Sequence, residues 1–248
     1  MQLFYFEELN DGDLNVALTG DEVHHISKVL RYNKGDKLLA TNGRGSAYRL
    51  EIRELSKNHL TATVTGSFRI ALPEYSNTHI AFGVIKLRDR LEFAIEKAVE
   101  LGTGGIHLVH MDRSERAHLN KDRMELLVTA AMKQSLQVYR PKISIYASLD
   151  AFIEQFDGTI IAAHEHATAL LSTEMKSING RDRIGLVIGP EGGLTNRELE
   201  VLNAKQAKQV SLGSTRLRVE TALIALLSVT HAYRSEHYSG IPLYTLTW

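Results

Sequence analysis

The chain has no cysteine among its 248 residues. That excludes a disulfide scaffold, a cysteine-ligated zinc site, an iron–sulfur cluster and a thiol nucleophile. It also has no net charge, with 29 Lys and Arg against 29 Asp and Glu. A globally basic nucleic-acid binder is thereby excluded, while a locally basic surface is not. No run approaches the ~18 apolar residues of a membrane span. The opening MQLFYFEELNDGD has neither the basic n-region nor the apolar core of a secretory signal. A soluble, cytoplasmic protein is expected. What the chain does have is 44% hydrophobic and 23% charged residues, enough for a packed core and too apolar for disorder. Its length fits one large domain or two ordinary ones.

The first 72 residues read as β structure around one short helix. Thr19-Gly20-Asp21-Glu22 has the form of a capping box, and Val23, Ile26, Val29 and Leu30 then share a helical face through Arg31. Strands are predicted at 37–40 and 48–52, joined by a turn over Asn42-Gly43-Arg44-Gly45, and Leu60, Ala62 and Val64 alternate with threonines as in a half-buried strand. Short strands with turn signals suggest a small barrel. Between Lys28 and Lys57 lie eight basic and three acidic residues, a local balance of +5. Such a run is either a solvated surface or a phosphate-facing patch.

Pro73-Glu74-Tyr75-Ser76-Asn77 is the best linker, which places one domain at 1–72 and another at 73–248. After it the period changes. Apolar strands at 79–85, 106–109, 142–146, 159–163, 183–188 and 210–212 alternate with helices at 91–101, about 121–135, after Thr195 and about 220–236. Strands alternating with helices imply an α/β domain with a mostly parallel sheet.

Two loops carry the strongest signals. Leu186-Val187-Ile188-Gly189-Pro190-Glu191-Gly192-Gly193-Leu194-Thr195 is a buried strand, a Gly/Pro turn and a capped helix start. Ligands of open α/β sheets bind beyond the carboxyl ends of strands, where glycine admits close backbone approach. The turn is neither a Walker loop nor G-x-G-x-x-G. The second loop, Leu212-Gly213-Ser214-Thr215-Arg216-Leu217-Arg218, lies in a stretch from Val201 to Val219 with four basic residues and no acid. Glu220 follows at a helix start, where the helix dipole favours a carboxylate. The helix itself is apolar on nearly every side, so it belongs in the core or in a subunit interface. His164-Glu165-His166 would set both imidazoles on one side of an extended chain, but it lacks the spacing of a metal-binding helix, and no metal is expected.

With these loops the chain resembles the SPOUT superfamily of knotted methyltransferases, and more narrowly the ribosomal RNA small subunit methyltransferase E family. The resemblance spans nearly the whole chain. It rests on Ile188-Gly189-Pro190-Glu191-Gly192-Gly193 with Leu212-Gly213 and Leu217-Arg218-Val219-Glu220-Thr221-Ala222. His25-Ile26-Ser27-Lys28-Val29-Leu30-Arg31, Glu96-Lys97-Ala98-Val99-Glu100-Leu101-Gly102, Arg113-Ser114-Glu115 and Gln134-Ser135 add to it. It implies an N-terminal PUA-like RNA-binding β-barrel and a C-terminal α/β domain with a deep trefoil knot. It implies a homodimer that transfers a methyl group from S-adenosylmethionine to N3 of a uridine in 16S rRNA of the small subunit. The cofactor-binding candidates are then His164, Glu165, Ile188, Gly189, Glu191, Gly192, Leu212, Gly213, Ser214 and Leu217. Arg218 is the candidate stabiliser of the uracil charge, and Glu220 a candidate base. Lys28, Arg31, Arg44, Arg113 and Arg116 are candidate RNA contacts. The alternatives are a related enzyme acting on another rRNA or tRNA nucleotide, and a non-catalytic RNA-binding dimer. One departure stands out: the family usually continues Gln-Ser with Gly-Arg, whereas here Leu136-Gln137 follow and Arg140 comes later.

Overall fold

A computed structural model describes residues 2–115, 118–179 and 182–235. They gather into two compact units. Among the described residues, one comprises those up to Leu72 together with Thr129–Arg140; the other comprises Pro73–Val128 and the residues from Pro141 to Ser235.

The first unit is a curled five-stranded sheet of β1 (Leu3–Tyr5), β2 (Asn15–Thr19), β3 (Lys37–Thr41), β4 (Ser46–Leu55) and β5 (His59–Arg69), in the order β1-β3-β4-β5-β2. β1 runs parallel to β3 and every other pair is antiparallel. Register shifts after Arg49 and Ile52 bend the long β4–β5 pair, since an unpaired residue increases the local twist. Leu18, Leu38, Leu50, Ile52 and Leu60 fill the core. Tyr48 is fully buried there, with its hydroxyl donating to Asp11 and accepting from Asn42.

The short helix departs from its predicted form. α1 spans only Asp21–His24, and a π-turn over His25–Val29 follows, closed by bonds from Leu30 N–H to His25 and from Tyr32 N–H to Ile26. The wider turn rotates what comes after it. Val23 and Ile26 reach the core, but Val29 stays 62% exposed. The Thr19…Glu22 capping box does not form, because Gly20 caps the helix without a side-chain bond. Glu22 is drawn elsewhere: its carboxylate accepts from Tyr5 N–H and pairs with Lys133 at 2.9 Å.

The second unit holds a six-stranded sheet of β6 (Thr78–Gly83), β7 (Gly105–Val109), β8 (Lys142–Tyr146), β9 (Thr159–Ala163), β10 (Ile184–Ile188) and β11 (Lys208–Val210). Its order is β11-β9-β10-β6-β7-β8 and every pair is parallel. The central strands β10 and β7 are buried at every residue, as a sheet covered on both faces requires. The helices are α2 (Arg88–Glu100), α3 (Lys121–Gln134), α4 (Leu149–Gln155), α5 (Leu171–Met175), α6 (Asn196–Ala204) and α7 (Val219–Ser235), with α3 astride the boundary between the units. α2 packs on α7, burying Leu91, Ile95 and Val99 on one and Leu223, Leu226 and Leu227 on the other. β11 stops at Val210, earlier than predicted, so Leu212 belongs to the loop that follows. Among the described residues no helix is long and apolar enough to cross a membrane.

The strand order fixes where a ligand can sit. From β6 the chain first builds β7 and β8 on one side, then β9, β10 and β11 on the other. At such a reversal the connecting loops leave in opposite directions and open a crevice beyond the carboxyl ends.

Candidate functional site

That crevice exists. A cavity of about 600 Å³ lies beyond the carboxyl ends of β9, β10 and β11, within the size range of small-molecule sites. Three loops form it: 163–166 after β9, 188–194 after β10 and 212–218 after β11. Arg90, in the first turn of α2, and Arg113, in the loop after β7, complete the wall.

Each loop is shaped by its sequence. After β9, His164 N–H bonds to Val210, and Ala167 N–H returns to His164, so residues 164–167 form a turn. The extended arrangement anticipated for His164-Glu165-His166 is therefore replaced, and the two imidazoles meet edge to face at 5.3 Å. Desolvation, with His166 next in effect, lowers the His164 pKa, so this ring is neutral near pH 7. After β10, Gly193 closes a turn onto Pro190 at a left-handed φ of 72°. Thr195 then starts α6 with the predicted capping box: its hydroxyl accepts from Glu198 N–H, and the buried Glu198 carboxylate accepts from Thr195 N–H. After β11, Ser211 and Gly213 bond to each other, and Gly213 adopts φ 121°, a conformation that L side chains rarely take.

The cavity wall offers unpaired main-chain groups. The N–H groups of Gly189, Leu212 and Leu217 donate to nothing among the described residues. Arg218 is exposed at the rim and makes no ion pair among the described residues, while its carbonyl accepts the first helical bond of α7 from Ala222. Glu220 is different. Arg90 grips both of its carboxylate oxygens at 2.9 and 2.7 Å and also reaches Glu191 at 3.3 Å. This grip lowers the Glu220 pKa and raises that of Arg90.

All ten candidates for cofactor contact fall on these three loops, and nine of them line the cavity; Gly192 is set against Arg113 instead. Arg218 lines it too. Arg113, expected to face RNA, also lies in this wall and donates to the carbonyls of Gly192 and Leu194. Arg116 lies outside the described residues. In the first unit, Lys28 and Arg31 are exposed and make no ion pair among the described residues, and Arg31 takes a left-handed φ of 57°. The Ser27 hydroxyl donates to the Lys57 carbonyl, which brings a third cation's backbone alongside. Arg44 is otherwise engaged: its guanidinium donates to the carbonyls of Glu7 and Leu9 and to Asn10, so it braces the turn between β1 and β2. No group of three or more potential metal ligands occurs among the described residues.

Arg90 was missed in the sequence, where the helix from Leu91 signalled only its apolar face. A basic residue one position before that face was the available sign. Away from this cavity, two histidines meet between neighbouring strands of the sheet. His79 on β6 and His107 on β7 share a hydrogen bond of 3.0 Å, with Arg183 beside His79. Burial pushes the pair down from 6.5, to about 4 for His79 and about 3 for His107.

Comparison with known proteins agrees with this geometry. The RNA methyltransferase domain family matches residues 73–231, and the RNA methyltransferase PUA domain family matches residues 18–65. The chain is 30% identical to ribosomal RNA small subunit methyltransferase E of Bacillus subtilis, covering 95% of this chain and 98% of that one. Among solved structures, a probable rRNA-methyltransferase from Porphyromonas gingivalis is 28% identical, with a TM-score of 0.84 over 96% of this chain and 100% of that one. The ribosomal RNA small subunit methyltransferase E of Neisseria gonorrhoeae, bound to S-adenosyl methionine, shares the fold at 23% identity. Its TM-score is 0.79 over 97% of this chain and 98% of that one.

Proposed function

Because the chain belongs to the ribosomal RNA small subunit methyltransferase E family, we propose that it transfers a methyl group from S-adenosylmethionine to N3 of a uridine in 16S rRNA. The observation that carries this reading is the cavity itself. Three loops, two of them glycine-bearing, bring main-chain donors and Arg218, which makes no ion pair among the described residues, to one crevice.

The cavity suits the donor molecule. Adenine and ribose are recognised by backbone groups as readily as by side chains, and the N–H groups of Gly189, Leu212 and Leu217 are open for them. Glu165 and Glu191 put carboxylates in the wall, suited to a cationic, amine-bearing ligand. His164, Ile188, Gly213 and Ser214 complete the contact surface, with Gly192 holding its loop from behind. When bound, S-adenosylmethionine supplies an electrophilic methyl group that needs no metal.

The acceptor chemistry falls to Arg218. Uridine N3 must give up its proton, to solvent, before its electron pair can accept a methyl group, and the negative charge left behind spreads onto the uracil oxygens. A fixed guanidinium facing those oxygens lowers that barrier, since donors placed where charge develops are worth most in a site closed to water. Glu220 is a poor recipient of the N3 proton. Arg90 holds it ionised with a lowered pKa, whereas an effective base sits nearer the working pH. Its part is to anchor Arg90 and the start of α7.

The first unit supplies RNA affinity through Lys28, Arg31 and Lys57. Phosphate contacts there position the RNA, while the base is read in the cavity. α7 leaves Ile224, Ala225 and Val229 only partly covered, which favours a homodimer packed through this helix. The deep trefoil knot and a cytoplasmic site of action belong to the same reading.

Mass spectrometry of small-subunit rRNA from a deletion strain tests it. Complementation with the wild type should restore a single methyluridine, and Arg218→Ala should fold normally yet restore under about 1% of it, a loss of the size seen on removing one charge-stabilising donor. An unchanged rRNA in the deletion strain, or full methylation by Arg218→Ala, would refute the assignment.

A further inference from the structure

We infer that Arg113 is a positioning residue for the donor site and makes no phosphate contact. The inference rests on the reading of the cavity as the S-adenosylmethionine site. Arg113 stands on a rigid platform: Ser114 N–H returns to Met111, and the Ser114 hydroxyl accepts from Met111 N–H. From there its guanidinium reaches the glycine loop after β10, donating to Gly192 O at 2.8 Å and Leu194 O at 3.3 Å.

The neighbouring residue ties the same two segments a second time. Asp112 N–H donates to Glu198, and the Asp112 carboxylate accepts from Thr195 and Arg197. The loop after β7 therefore holds the glycine loop and the start of α6 at both ends. Gly192 is shaped by this arrangement. A Cβ added there would meet Arg113 Cβ at 3.0 Å and Cδ at 3.2 Å. That glycine is needed because the arginine stem lies across it, and the donor molecule is not what requires it. With its carbonyls held from outside, the loop is shaped before the donor molecule arrives, so binding does not have to order it.

Charge alone would satisfy a phosphate contact, so Arg113→Lys separates the two roles. Both bonds leave one nitrogen, Nη1; lysine keeps the cation but ends one atom short of it, on a flexible stem. Calorimetry with S-adenosylmethionine should show a Kd raised about tenfold in Arg113→Lys, the scale of one lost charge-assisted bond. Gly192→Ala should weaken binding similarly, and the double variant should add little to either. In turnover assays the KM for S-adenosylmethionine should rise while kcat at saturation stays near the wild-type value. The salt slope of binding to a small-subunit rRNA fragment should stay unchanged in Arg113→Ala. Wild-type donor affinity in Arg113→Lys would overturn the inference, as would a salt slope reduced by about one contact in Arg113→Ala. A wild-type protein that binds no S-adenosylmethionine would sink the functional reading beneath it as well.

Discussion

The Arg90–Glu220 pair allows a sharp test of what Glu220 does. Its side chains are only 22% and 10% exposed, and two hydrogen bonds join them. Removing one partner of a fully buried pair costs about 3–5 kcal/mol, and the residual water contact here reduces that to about 2–3 kcal/mol. In a chain of this size, about 2–4 °C of melting temperature accompanies each kcal/mol, so Arg90→Gln and Glu220→Gln should each lose about 4–12 °C. The double variant should lose less than the sum of the two, because neither charge is then stranded. Acidification adds a second readout. The depressed carboxyl of the wild type contributes stability that is full above the ordinary glutamate range and is lost as pH falls through its lowered pKa. In Arg90→Gln the counterion that depresses the carboxyl is gone, so this group should no longer cost stability on acidification and the acid loss seen in the wild type should shrink. Turnover decides between anchor and base. An anchor predicts that Glu220→Gln loses activity and stability together and that the double variant regains part of both. A general base predicts a loss of about 10²–10⁴ in rate with an unchanged melting temperature. That second outcome would refute the anchor.

Three further outcomes follow from the geometry. His79 and His107 are held neutral at about 4 and 3, against 6.5 for a free histidine, so an unfolded chain gains protons first as the pH drops. Their contribution is full above about pH 6.5 and fades as pH falls, by about 2 kcal/mol at pH 5 once solvent access to His79 is allowed for; a urea midpoint that stays flat from pH 7 to 5 would contradict it. Replacing Lys28 and Arg31 together by Ala should shallow the salt dependence of RNA binding by about two contacts, and an unchanged slope would reject the patch. Gln206, exposed and left-handed at φ 59°, should be improved by glycine, raising stability by about 0.5–1 kcal/mol in thermal unfolding; a lower melting temperature would count against it.

Much of the second unit could be read from pattern because buried parallel strands are continuous apolar runs. The stretch from Ile184 to Ile188 announces itself, and the capping box at Thr195 marks the next helix to the residue. The loops that carry the site were equally visible, since glycine at strand ends has few other uses. What could not be read was pairing at a distance. Arg90 and Glu220 are 130 positions apart, and Arg113 and Gly192 are 79 apart. Local reasoning gave each charged residue the partner nearest in sequence, or none. Arg44 and Arg113 were thus offered as RNA contacts with no sign that the guanidinium of each bonds to distant carbonyls. The π-turn escaped for a related reason. Its sequence is helical in period, and only packing against Leu60 and Ile52 decides that Ile26 turns in and Val29 out.

Leu136 shows the converse, a sequence anomaly that the structure absorbs. Where the family usually has glycine, the chain keeps a left-handed residue at φ 55°, so the backbone that glycine would serve is still there. It is the cap of α3: Leu136 N–H bonds to Lys133 and Gln137 N–H to Met132, the paired bonds of a Schellman motif. A leucine in that conformation costs about 1–2 kcal/mol. Against this, its side chain packs with Leu3, Leu39 and Val138 in a small cluster of the first unit, and half-burying a leucine returns an energy of the same order. The cap is thus held by contact instead of by backbone freedom, and the chain that follows keeps its course. Arg140 N–H reaches Gly43 O, and the Arg140 guanidinium bonds to Thr129 above the Tyr5 ring. Arg140 is thereby tied into the scaffold of the first unit through both its main chain and its side chain.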